Sequence, residues 1–273
     1  MNGDAQVGDL PGSGKAAVVT GSSRGLGRSF AETLAGMGYS VGIHGLLEDD
    51  PAEYDDGTTV TGTANTIAEQ FGVKTVSCVG DLSIKSEVVR IIDAMTEALG
   101  SIDVLVHCAG GDTGAAGGKP QPNDAVHIQE ADVRAVLERN LLTTIFVCQE
   151  VARRMMERST GRIVTISSQA AFGRTATEAI YTSAKAGMVA YTKCLATQMR
   201  NYGINVNCVA PGDTRTARFL KTREVDSKRL VTEGTLDRIA TLDEVGRVVE
   251  FFAGPLGDFV SGEVLLVNGG YAI

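Results

Sequence analysis

Four polar residues in the second half of the chain have the types and spacing of a proton-transfer site: Asn140, Ser168, Tyr181 and Lys185. Tyr181 and Lys185 are four residues apart in a segment predicted to be helical over about residues 175–201, which places both on one helix face with Cβ atoms about 6 Å apart. An ammonium group at that distance favours the tyrosinate. Lowering the pKa of tyrosine from about 10 to neutral pH takes about 4 kcal/mol of preferential stabilisation of the anion. The pair therefore predicts a general acid and base.

Each of these residues also has a plain structural interpretation. A Tyr and a Lys four residues apart occur by chance on many helices, Ser168 could cap a helix, and Asn140 could satisfy backbone groups in a kinked helix. Ser168 follows the apolar run RIVTIS, residues 162–167, which would place its hydroxyl beside a reacting oxygen. The constellation, rather than any one residue, indicates catalysis.

The elements that must position these residues are visible as apolar runs alternating with amphipathic segments. Each run is too apolar to have an exposed face, as expected for parallel strands covered on both sides. The amphipathic segments between the runs, such as residues 84–99, then form the covering helices. The sequence predicts an α/β fold: a single Rossmann-like doubly wound parallel sheet of about seven strands with helices on both faces. The runs are residues 16–20, 40–44, 75–79, 103–109, 162–167, 204–210 and 263–268.

Composition narrows the class of protein further. At 273 residues, 43% of them hydrophobic, the chain fits one α/β domain, and no apolar run approaches the length of a membrane helix. Its first residues lack the features of an export signal, so we expect a cytoplasmic protein. The net charge of −8 argues against nucleic acid or an anionic membrane as a partner. The five cysteines, odd in number and widely spaced, predict reduced thiols rather than disulfides or a metal site.

Two glycine-rich stretches flank the first predicted strand, and both are candidates for binding phosphate. The stretch before the strand, GDLPGSGKA, departs from a P-loop because five rather than four residues separate Gly8 from Gly14 and Ala16 replaces the Ser or Thr that would hold magnesium. The stretch after the strand, TGSSRGLG at residues 20–27, opens a helix. Glycines there allow a tight turn and a close approach of the backbone to a pyrophosphate at the helix N-terminus. The second stretch therefore predicts a dinucleotide site.

Taken in order, the motifs resemble those of the short-chain dehydrogenase/reductase family, and 3-oxoacyl-ACP reductase-like members in particular, over about residues 14–271. The matching features are TGSSRGLG, Asp81 after the third strand, CAG at 108–110, Asn140, Ser168 thirteen residues before YTSAK at 181–185, PGDTRT at 211–216 and the closing VNGGY. The resemblance implies one catalytic domain over residues 14–273 after a flexible tail of residues 1–13. It assigns the proton transfer to Tyr181, the lowering of its pKa and nicotinamide ribose binding to Lys185, substrate orientation to Ser168, and a water in a proton relay to Asn140.

The resemblance also implies an NAD(P)(H) cofactor. Asp81 has a competing role as the cap of the helix that follows it. One departure is His107, which with Cys108 replaces the family's usual pair of asparagines and removes a hydrogen bond near the adenine. The residues implied to contact the cofactor are Gly21, Ser23, Arg24, Leu26, Gly27, Asp81, Leu82, Cys108, Ala109, Gly110, Tyr181, Lys185, Gly212, Thr214 and Thr216.

The choice between NAD(H) and NADP(H) receives conflicting signals. Members selective for NAD usually carry an acid at the end of the second strand, where this chain has Gly45 and then Leu46. The missing acid argues against strict NAD use, and Arg24 could pair with a 2′-phosphate. The acidic run at residues 48–50 argues against that phosphate. We expect a slight preference for NADP(H).

The function that the resemblance implies is the interconversion of a carbonyl and a secondary alcohol by hydride transfer, on a small-molecule substrate. Alternatives are a C=C or C=N reductase on the same fold and a non-catalytic nicotinamide-sensing protein, which typically lacks the Tyr or the Lys. A mobile substrate lid is expected at about residues 213–234, whose cations either steer an anionic substrate or belong to a solvated helix face. The loop 110–127 either lines the pocket or packs on a neighbouring subunit, and a homotetramer or homodimer is expected.

Overall fold

Residues 10–54, 59–173 and 175–272 are described by the computed structural model, and they form one seven-stranded sheet with helices on both faces. All strand pairs are parallel, in the order β3-β2-β1-β4-β5-β6-β7. The predicted doubly wound sheet is confirmed, and every apolar run contains its strand to within a residue. The strands are β1 Ala16–Thr20, β2 Ser40–Gly45, β3 Thr75–Val79, β4 Val104–His107, β5 Gly161–Ile166, β6 Ile204–Pro211 and β7 Val264–Val267.

The helices cover the sheet in two groups because successive strand residues point to opposite faces. Ala17 and Val19 of β1 face the cluster that contains Phe30 and Val245, whereas Val18 faces the cluster that contains Ile91. The first layer is formed by α1, α2 and α8, and the second by α3, α5 and α6. The helices in the described residues are α1 Gly25–Gly36, α2 Val60–Phe71, α3 Lys85–Leu99, α4 Glu130–Leu137, α5 Thr143–Arg158, α6 Ala179–Met199, α7 Ala217–Thr222 and α8 Leu242–Ala253.

The order of strands reverses between β1 and β4, and that reversal creates a crevice. Strands β2 and β3 lie on one side of β1, and strands β4 to β7 lie on the other. Thr20, the last residue of β1, pairs with His107, the last residue of β4. The turn after β1 and the segment after β4 therefore leave the sheet side by side, at the place where open α/β sheets bind ligands.

The glycine-rich stretch before β1 packs against the body of the protein. Gly12 N donates to Met37 O at 2.9 Å, and a Cβ on Gly12 would lie 2.3 Å from Cδ2 of Tyr39. This glycine is therefore needed for packing, in agreement with the rejection of a P-loop. The predicted flexible tail of residues 1–13 lies outside the described residues up to position 9. None of the helices that the structure describes is long and apolar enough to cross a membrane.

Candidate functional site

The turn after β1 brings three backbone segments together with no side chains between them. Gly21 has φ of 63°, and a Cβ on it would lie 2.7 Å from Cα of Ala109, beyond the end of β4. A Cβ on Gly27, in the first turn of α1, would lie 2.0 Å from Gly21 O. Any larger residue at either position would push the turn, helix and strand apart. The glycines of TGSSRGLG are required for this close packing at the N-terminus of α1.

A cleft of about 610 Å³ runs along the carboxyl ends of β1 to β4, past this turn. It extends from Asp81 and Leu82 beyond β3 to Tyr181 and Lys185 on α6. An elongated cleft that crosses a glycine turn and a helix N-terminus fits a dinucleotide, whose diphosphate would lie over the bare backbone. The predicted cofactor contacts that line it are Gly21, Ser23, Arg24, Leu26, Gly27, Asp81, Leu82, Cys108, Ala109, Gly110, Tyr181, Lys185 and Thr216.

A second cavity, of about 730 Å³, adjoins the cleft. Tyr181 lines both, so its phenol lies where the two spaces meet. The second cavity is also lined by Ser168, by Phe219 and Arg223 from the predicted lid, and by the two remaining predicted cofactor contacts, Gly212 and Thr214. A molecule in the second cavity would reach the phenol from one side and a dinucleotide from the other.

The catalytic pair predicted from spacing lies on one face of α6. The Lys185 Nζ atom is 5.7 Å from the centre of the Tyr181 ring. That nitrogen donates to Ile166 O at 2.9 Å, and the residue is only 4% exposed. Burial lowers the pKa of Lys185 to about 8, because the ammonium loses hydration that one carbonyl does not replace. The predicted juxtaposition is therefore present, with a lysine that is easier to deprotonate than usual.

The pKa of Tyr181 departs from the sequence-based prediction. Burial raises this pKa to about 12, although a hydrogen bond with Ser168 and the charge of Arg218 act in the opposite direction. The charges of Glu178 and Asp112 raise it further. For the protein alone, the cost of removing the phenolate from water exceeds the stabilisation by its cationic surroundings, and the lowering of this pKa by Lys185 stays a prediction.

Ser168 fulfils one of the roles considered for it, the capping of a helical turn, and its orientation of a substrate stays a prediction. Its Oγ accepts from Ala170 N at 3.2 Å and caps the short helical turn Gln169–Ala171. The same side chain is hydrogen-bonded to Tyr181. A hydroxyl can donate once and accept twice, so capping and substrate contact are compatible.

Asn140 lies in a π-helical turn, Glu138–Leu142, between α4 and α5, and it is fully buried. Its Nδ2 donates to Gly111 O at 2.9 Å and to Val136 O at 2.8 Å, while its Oδ1 accepts from Gly111 N at 3.0 Å. The side chain thereby bonds a helix carbonyl beside the π-turn and fixes the segment after β4. This geometry matches the structural interpretation of Asn140, and its part in a water relay stays a prediction.

His107 replaces the usual asparagine with a different hydrogen-bond bridge. Its Nδ1 lies 2.9 Å from Thr20 Oγ1, and its Nε2 lies 3.5 Å from Thr143 Oγ1. Because Thr20 Oγ1 already accepts from the amides of Cys108 and Ala109, its proton is directed to Nδ1. Burial lowers the pKa of His107 to about 3, so the ring is neutral. The side chain connects the ends of β1 and β4 to the start of α5.

His44 was not predicted as a site residue, although it lines the cleft. Its Nδ1 accepts from Gly21 N at 3.2 Å, and its Nε2 lies 3.1 Å from Gly80 O, to which it donates. Burial lowers the pKa of His44 to about 4. The only signal in the sequence was its position at the end of a strand, which sequence reasoning did not connect to the glycine turn.

Arg24 is already bound to the segment after β2. Its NH2 lies 2.7 Å from Glu53 Oε2, its NH1 donates to Asp50 O, and its guanidinium lies 4.6 Å from the centre of the Tyr54 ring. Asp50, Glu53 and Tyr54 all line the cleft, yet none was predicted as a site residue. The sequence shows these residues only as part of an acidic loop.

Asp81 does not cap the helix that follows it. Its Oδ1 accepts from Ser83 N at 2.9 Å, whereas α3 begins at Lys85 and has Ile84 at its N-cap position. The side chain stabilises the turn after β3 instead. The helix-capping alternative is therefore wrong, and Asp81 lies at the edge of the cleft.

Most of the arginines in the predicted lid are occupied by neighbouring groups. Arg215 donates to the carbonyls of residues 230 and 231, and Arg223 NH1 lies 3.4 Å from Asp213 Oδ1. Arg229 NH1 lies 3.9 Å from the other oxygen of Asp213. Arg218 differs because it reaches across to Thr113 Oγ1 at 3.2 Å. These contacts favour a self-neutralised surface over a broad basic field.

All five cysteines are free thiols. Within residues 10–54, 59–173 and 175–272, no group of three or more His, Cys, Asp or Glu side chains is arranged to hold a metal ion. Burial raises the pKa of Cys108, which lines the cleft, to about 12, so this thiol is protonated at neutral pH.

Comparison with known proteins places the chain among oxidoreductases. A sequence model described as short chain dehydrogenase matches residues 15–226. The chain is 31% identical over 270 residues to the cyclohexanol dehydrogenase of Rhodococcus sp. (strain TK6), covering 96% of this chain and 97% of that protein. It is 32% identical over 259 residues to a 3-oxoacyl-[acyl-carrier-protein] reductase of Aquifex aeolicus (strain VF5), covering 94% and 97%. A solved 7α-hydroxysteroid dehydrogenase, complexed with NADH and 7-oxo glycochenodeoxycholic acid, superposes with a TM-score of 0.81 at 26% identity and covers 97% of each chain.

Proposed function

This chain belongs to the short-chain dehydrogenase family, and from that premise we propose that it interconverts a carbonyl and a secondary alcohol with NAD(P)(H), using Tyr181 as general acid and base. The observation that carries the proposal is the position of the Tyr181 phenol, which lines both the dinucleotide-sized cleft and the adjoining cavity. Its hydrogen bond with Ser168 supports an oxygen-containing substrate over a C=C bond. In this proposal, the two hydroxyl groups together bind the carbonyl oxygen of the substrate.

The proposed roles follow from the chemistry of each side chain. When bound, the nicotinamide supplies or accepts the hydride at the substrate carbon, and its oxidised form carries a positive charge. Tyr181 donates its proton to the carbonyl oxygen during reduction and takes the alcohol proton during oxidation. Ser168 holds that oxygen by a second hydrogen bond. Each reduction consumes one hydride and one proton, so Tyr181 must be reprotonated after every turnover.

Lys185 is the residue best suited to balance the charge on Tyr181. It is buried beside the tyrosine ring, and its pKa of about 8 keeps it mostly protonated at neutral pH. Because the pKa of Tyr181 is raised to about 12, chiefly by burial, the anion requires every nearby cation. We propose that the ammonium of Lys185 stabilises tyrosinate and also binds the nicotinamide ribose. Asn140 holds the segment after β4 in place beside this pair.

The proposed cofactor is a nicotinamide dinucleotide, with the predicted contacts lining the cleft. The slight preference for NADP(H) was expected because Arg24 could bind a 2′-phosphate. That support is lost, since the Arg24 guanidinium is paired with Glu53 and stacked on Tyr54. The choice between NAD(H) and NADP(H) then depends on the other charged groups around the end of β2.

The substrate class is proposed from the relatives and the cavity. The relatives' names describe enzymes for cyclohexanol, for 3-oxoacyl groups and for a hydroxysteroid, all of which carry a secondary alcohol or a ketone. The cavity beside Tyr181 is about 730 Å³ and has polar walls that include Glu178 and Arg223. We therefore expect a small-molecule alcohol or ketone with further polar groups, and the segment 213–234 as its lid.

A panel of ketones and secondary alcohols, each assayed by the absorbance of the reduced nicotinamide, tests the proposal. The panel includes cyclohexanol, 3-oxoacyl thioesters, sugar acids, and enones and imines as C=C and C=N controls. We expect turnover of at least one ketone or secondary alcohol, and its loss when Tyr181 is changed to Phe. Turnover confined to the enones or imines would overturn the proposal in favour of the alternative reductase. Binding of the dinucleotide with no turnover of any compound would instead favour a sensing protein.

A homotetramer or homodimer is proposed for the assembly. Strand β7 is the edge of the sheet, and Leu256, Phe259 and Leu265 are exposed near it, with Phe259 fully accessible. Phe252 is not part of this surface, because it is 2% exposed inside the core. Light scattering after gel filtration measures the assembly.

The five free thiols suit the reducing cytoplasm, where we propose that the protein acts.

A further inference from the structure

The end of β2 is occupied by a carboxylate that comes from further along the chain. Leu46 N and Leu47 N donate to Asp50 Oδ2 at 2.6 and 3.1 Å. A Cβ built on Gly45, the last residue of β2, would lie 3.1 Å from that same oxygen. The carboxylate of Asp50 therefore lies against the place where a side chain at position 45 would begin. Both residues line the cleft.

The nearest guanidinium is already neutralised. Arg24 forms its ion pair with Glu53 at 2.7 Å, donates to the carbonyl of Asp50 and stacks on Tyr54. Its side chain is only 24% exposed. An arginine held by three neighbours has to give up an ion pair before it can bind a phosphate. This part of the cleft therefore presents carboxylates rather than a ready cation.

Two further titratable groups lie near this end of the cleft. His44 is neutral, because burial lowers its pKa to about 4. Arg218 also reaches this end from α7: its NH2 donates to Thr113 Oγ1 after β4, and its charge lowers the pKa of Glu53. Glu53 therefore interacts with two guanidinium groups, those of Arg24 and Arg218, whereas the Asp50 carboxylate lies against the end of β2.

We propose that Asp50 selects the dinucleotide without a 2′-phosphate, so that the protein uses NAD(H). The carboxylate would take the role of the acid missing at position 45, with the ribose 2′-hydroxyl donating to it. Two amides bind Oδ2, which leaves Oδ1 for the ligand. A 2′-phosphate would bring about two negative charges against this group. Glu53 completes the selection by holding Arg24 away from such a phosphate.

The proposal rests on the proposed function only in requiring that the cleft binds a nicotinamide dinucleotide. The experiment is calorimetric titration of the full chain with NADH and with NADPH, which needs no substrate. We expect the wild type to bind NADH at least about tenfold more tightly than NADPH, as one hydrogen bond to a charged group predicts. Equal binding of both, or tighter binding of NADPH, would overturn the selectivity while leaving the dehydrogenase proposal intact. Binding of neither would overturn both.

Two variants separate the parts of the mechanism. Asp50→Asn keeps an oxygen for the amides of residues 46 and 47 but removes the charge, and we expect the preference for NADH to fall about tenfold. Glu53→Gln releases Arg24, and we expect NADPH to bind about fivefold more tightly while NADH binding is unchanged. If neither variant changes the ratio of the two affinities, the proposal is wrong.

Asp49→Asn is the matched control. It makes the same charge change one residue earlier, at an exposed position that does not line the cleft. We expect this variant to leave the ratio of affinities unchanged. A shift as large as that of Asp50→Asn would mean that the net charge of the acidic loop, and not the position of Asp50, controls cofactor choice.

Discussion

The two ends of the cleft are built in different ways. At the catalytic end, Tyr181 and Lys185 are one turn apart on a single helix, so helix geometry alone sets their separation. At the adenosine end, Arg24, Gly45 and Asp50 come from three separate segments that meet only after the turn of residues 46–50 folds back. The proposed acid–base pair is thus positioned by regular secondary structure, whereas the proposed choice of cofactor depends on an irregular loop.

The two ends also treat their cations in opposite ways. Lys185 is buried and its ammonium donates to the carbonyl of Ile166, so its charge is available to a tyrosinate or a ligand. Arg24 is paired with Glu53 and is therefore not available without breaking that pair. An unpaired buried cation is costly and suits a reaction that develops negative charge beside it. A paired cation such as Arg24 contributes packing contacts rather than an available charge.

The largest expected effect comes from removing the phenol oxygen. Tyr181→Phe should lower kcat about 10³-fold, because general acid–base catalysis is lost, while the Kd for NADH changes little. Tyr191→Phe is the matched control, since it removes a hydroxyl from the same helix where that oxygen only approaches Ile145 O at 3.5 Å. Steady-state kinetics and calorimetry measure the two quantities. Retention of most of the rate in the first variant would contradict the assignment of Tyr181.

A smaller but broader loss is expected at Lys185. Lys185→Ala should lower kcat about 10²-fold and also weaken NADH binding, because one ammonium serves both the tyrosinate and the ribose. Lys193→Ala, at an exposed position on the same helix, is the control and should change neither. An effect of Lys185→Ala on kcat alone would remove the ribose contact from the proposal.

The two buried histidines predict a loss of stability in acid. The folded-state pKa values of His44 and His107 are lowered to about 4 and about 3, so only the unfolded chain takes up protons as the pH falls below about 6.5. Stability is therefore full above that pH and decreases towards the folded values, by about 2 kcal/mol for each ring at about pH 5. The free energy of unfolding, measured with urea at about pH 5 and again above about pH 6.5, gives this difference.

Variants assign that loss to the two ends of the cleft. His44→Asn at the adenosine end and His107→Asn at the catalytic end should each remove about 2 kcal/mol of the pH dependence. His127→Asn serves as the control, because its ring is 75% exposed. An unchanged pH dependence in both buried variants would show that carboxylates alone cause the acid sensitivity.

The smallest expected effect tests whether Asp50 occupies the place of the missing acid. Gly45→Asp should destabilise the fold by about 1 kcal/mol and should not improve NADH binding, because its Cβ would lie 2.6 Å from Val60 Cγ2 and 3.1 Å from Asp50 Oδ2. Gly36→Ala, whose Cβ would have its nearest neighbour at 3.5 Å, is the control and should not destabilise. Tighter NADH binding by the first variant would mean that position 45 is open to a side chain.

Sequence reasoning predicted most of the fold because parallel strands buried on both faces leave continuous apolar runs. Strand β1 illustrates this, since all five of its residues are buried and all were recognised. The glycine turn and the Tyr181–Lys185 pair were predicted for a similar reason: both depend on spacing within a few residues. Asp81 was misjudged as a possible cap because helix starts are the least regular part of such elements.

The remainder of the site depends on contacts between distant segments. Arg24 was considered for a phosphate because nothing in the sequence shows that Glu53 lies within 2.7 Å of it. The pKa of Tyr181 was expected to fall because spacing reveals Lys185 but not the extent of burial around the phenol. The ion pair of Arg24 and the burial of Tyr181 both form only when the chain folds, so the sequence alone could not predict either of them.

Because the rings of His44 and His107 are neutral, they simplify the interpretation of the enzyme's pH–rate profile. Across the mildly acidic to neutral range, both rings keep the same protonation, so they neither gain nor lose charge beside the nucleotide. Any inflection in a rate profile within that range must then originate from other groups, whereas the buried ammonium of Lys185, with a pKa of about 8, would titrate above it. The two histidines therefore contribute no titration of their own to a pH–rate profile measured within that range.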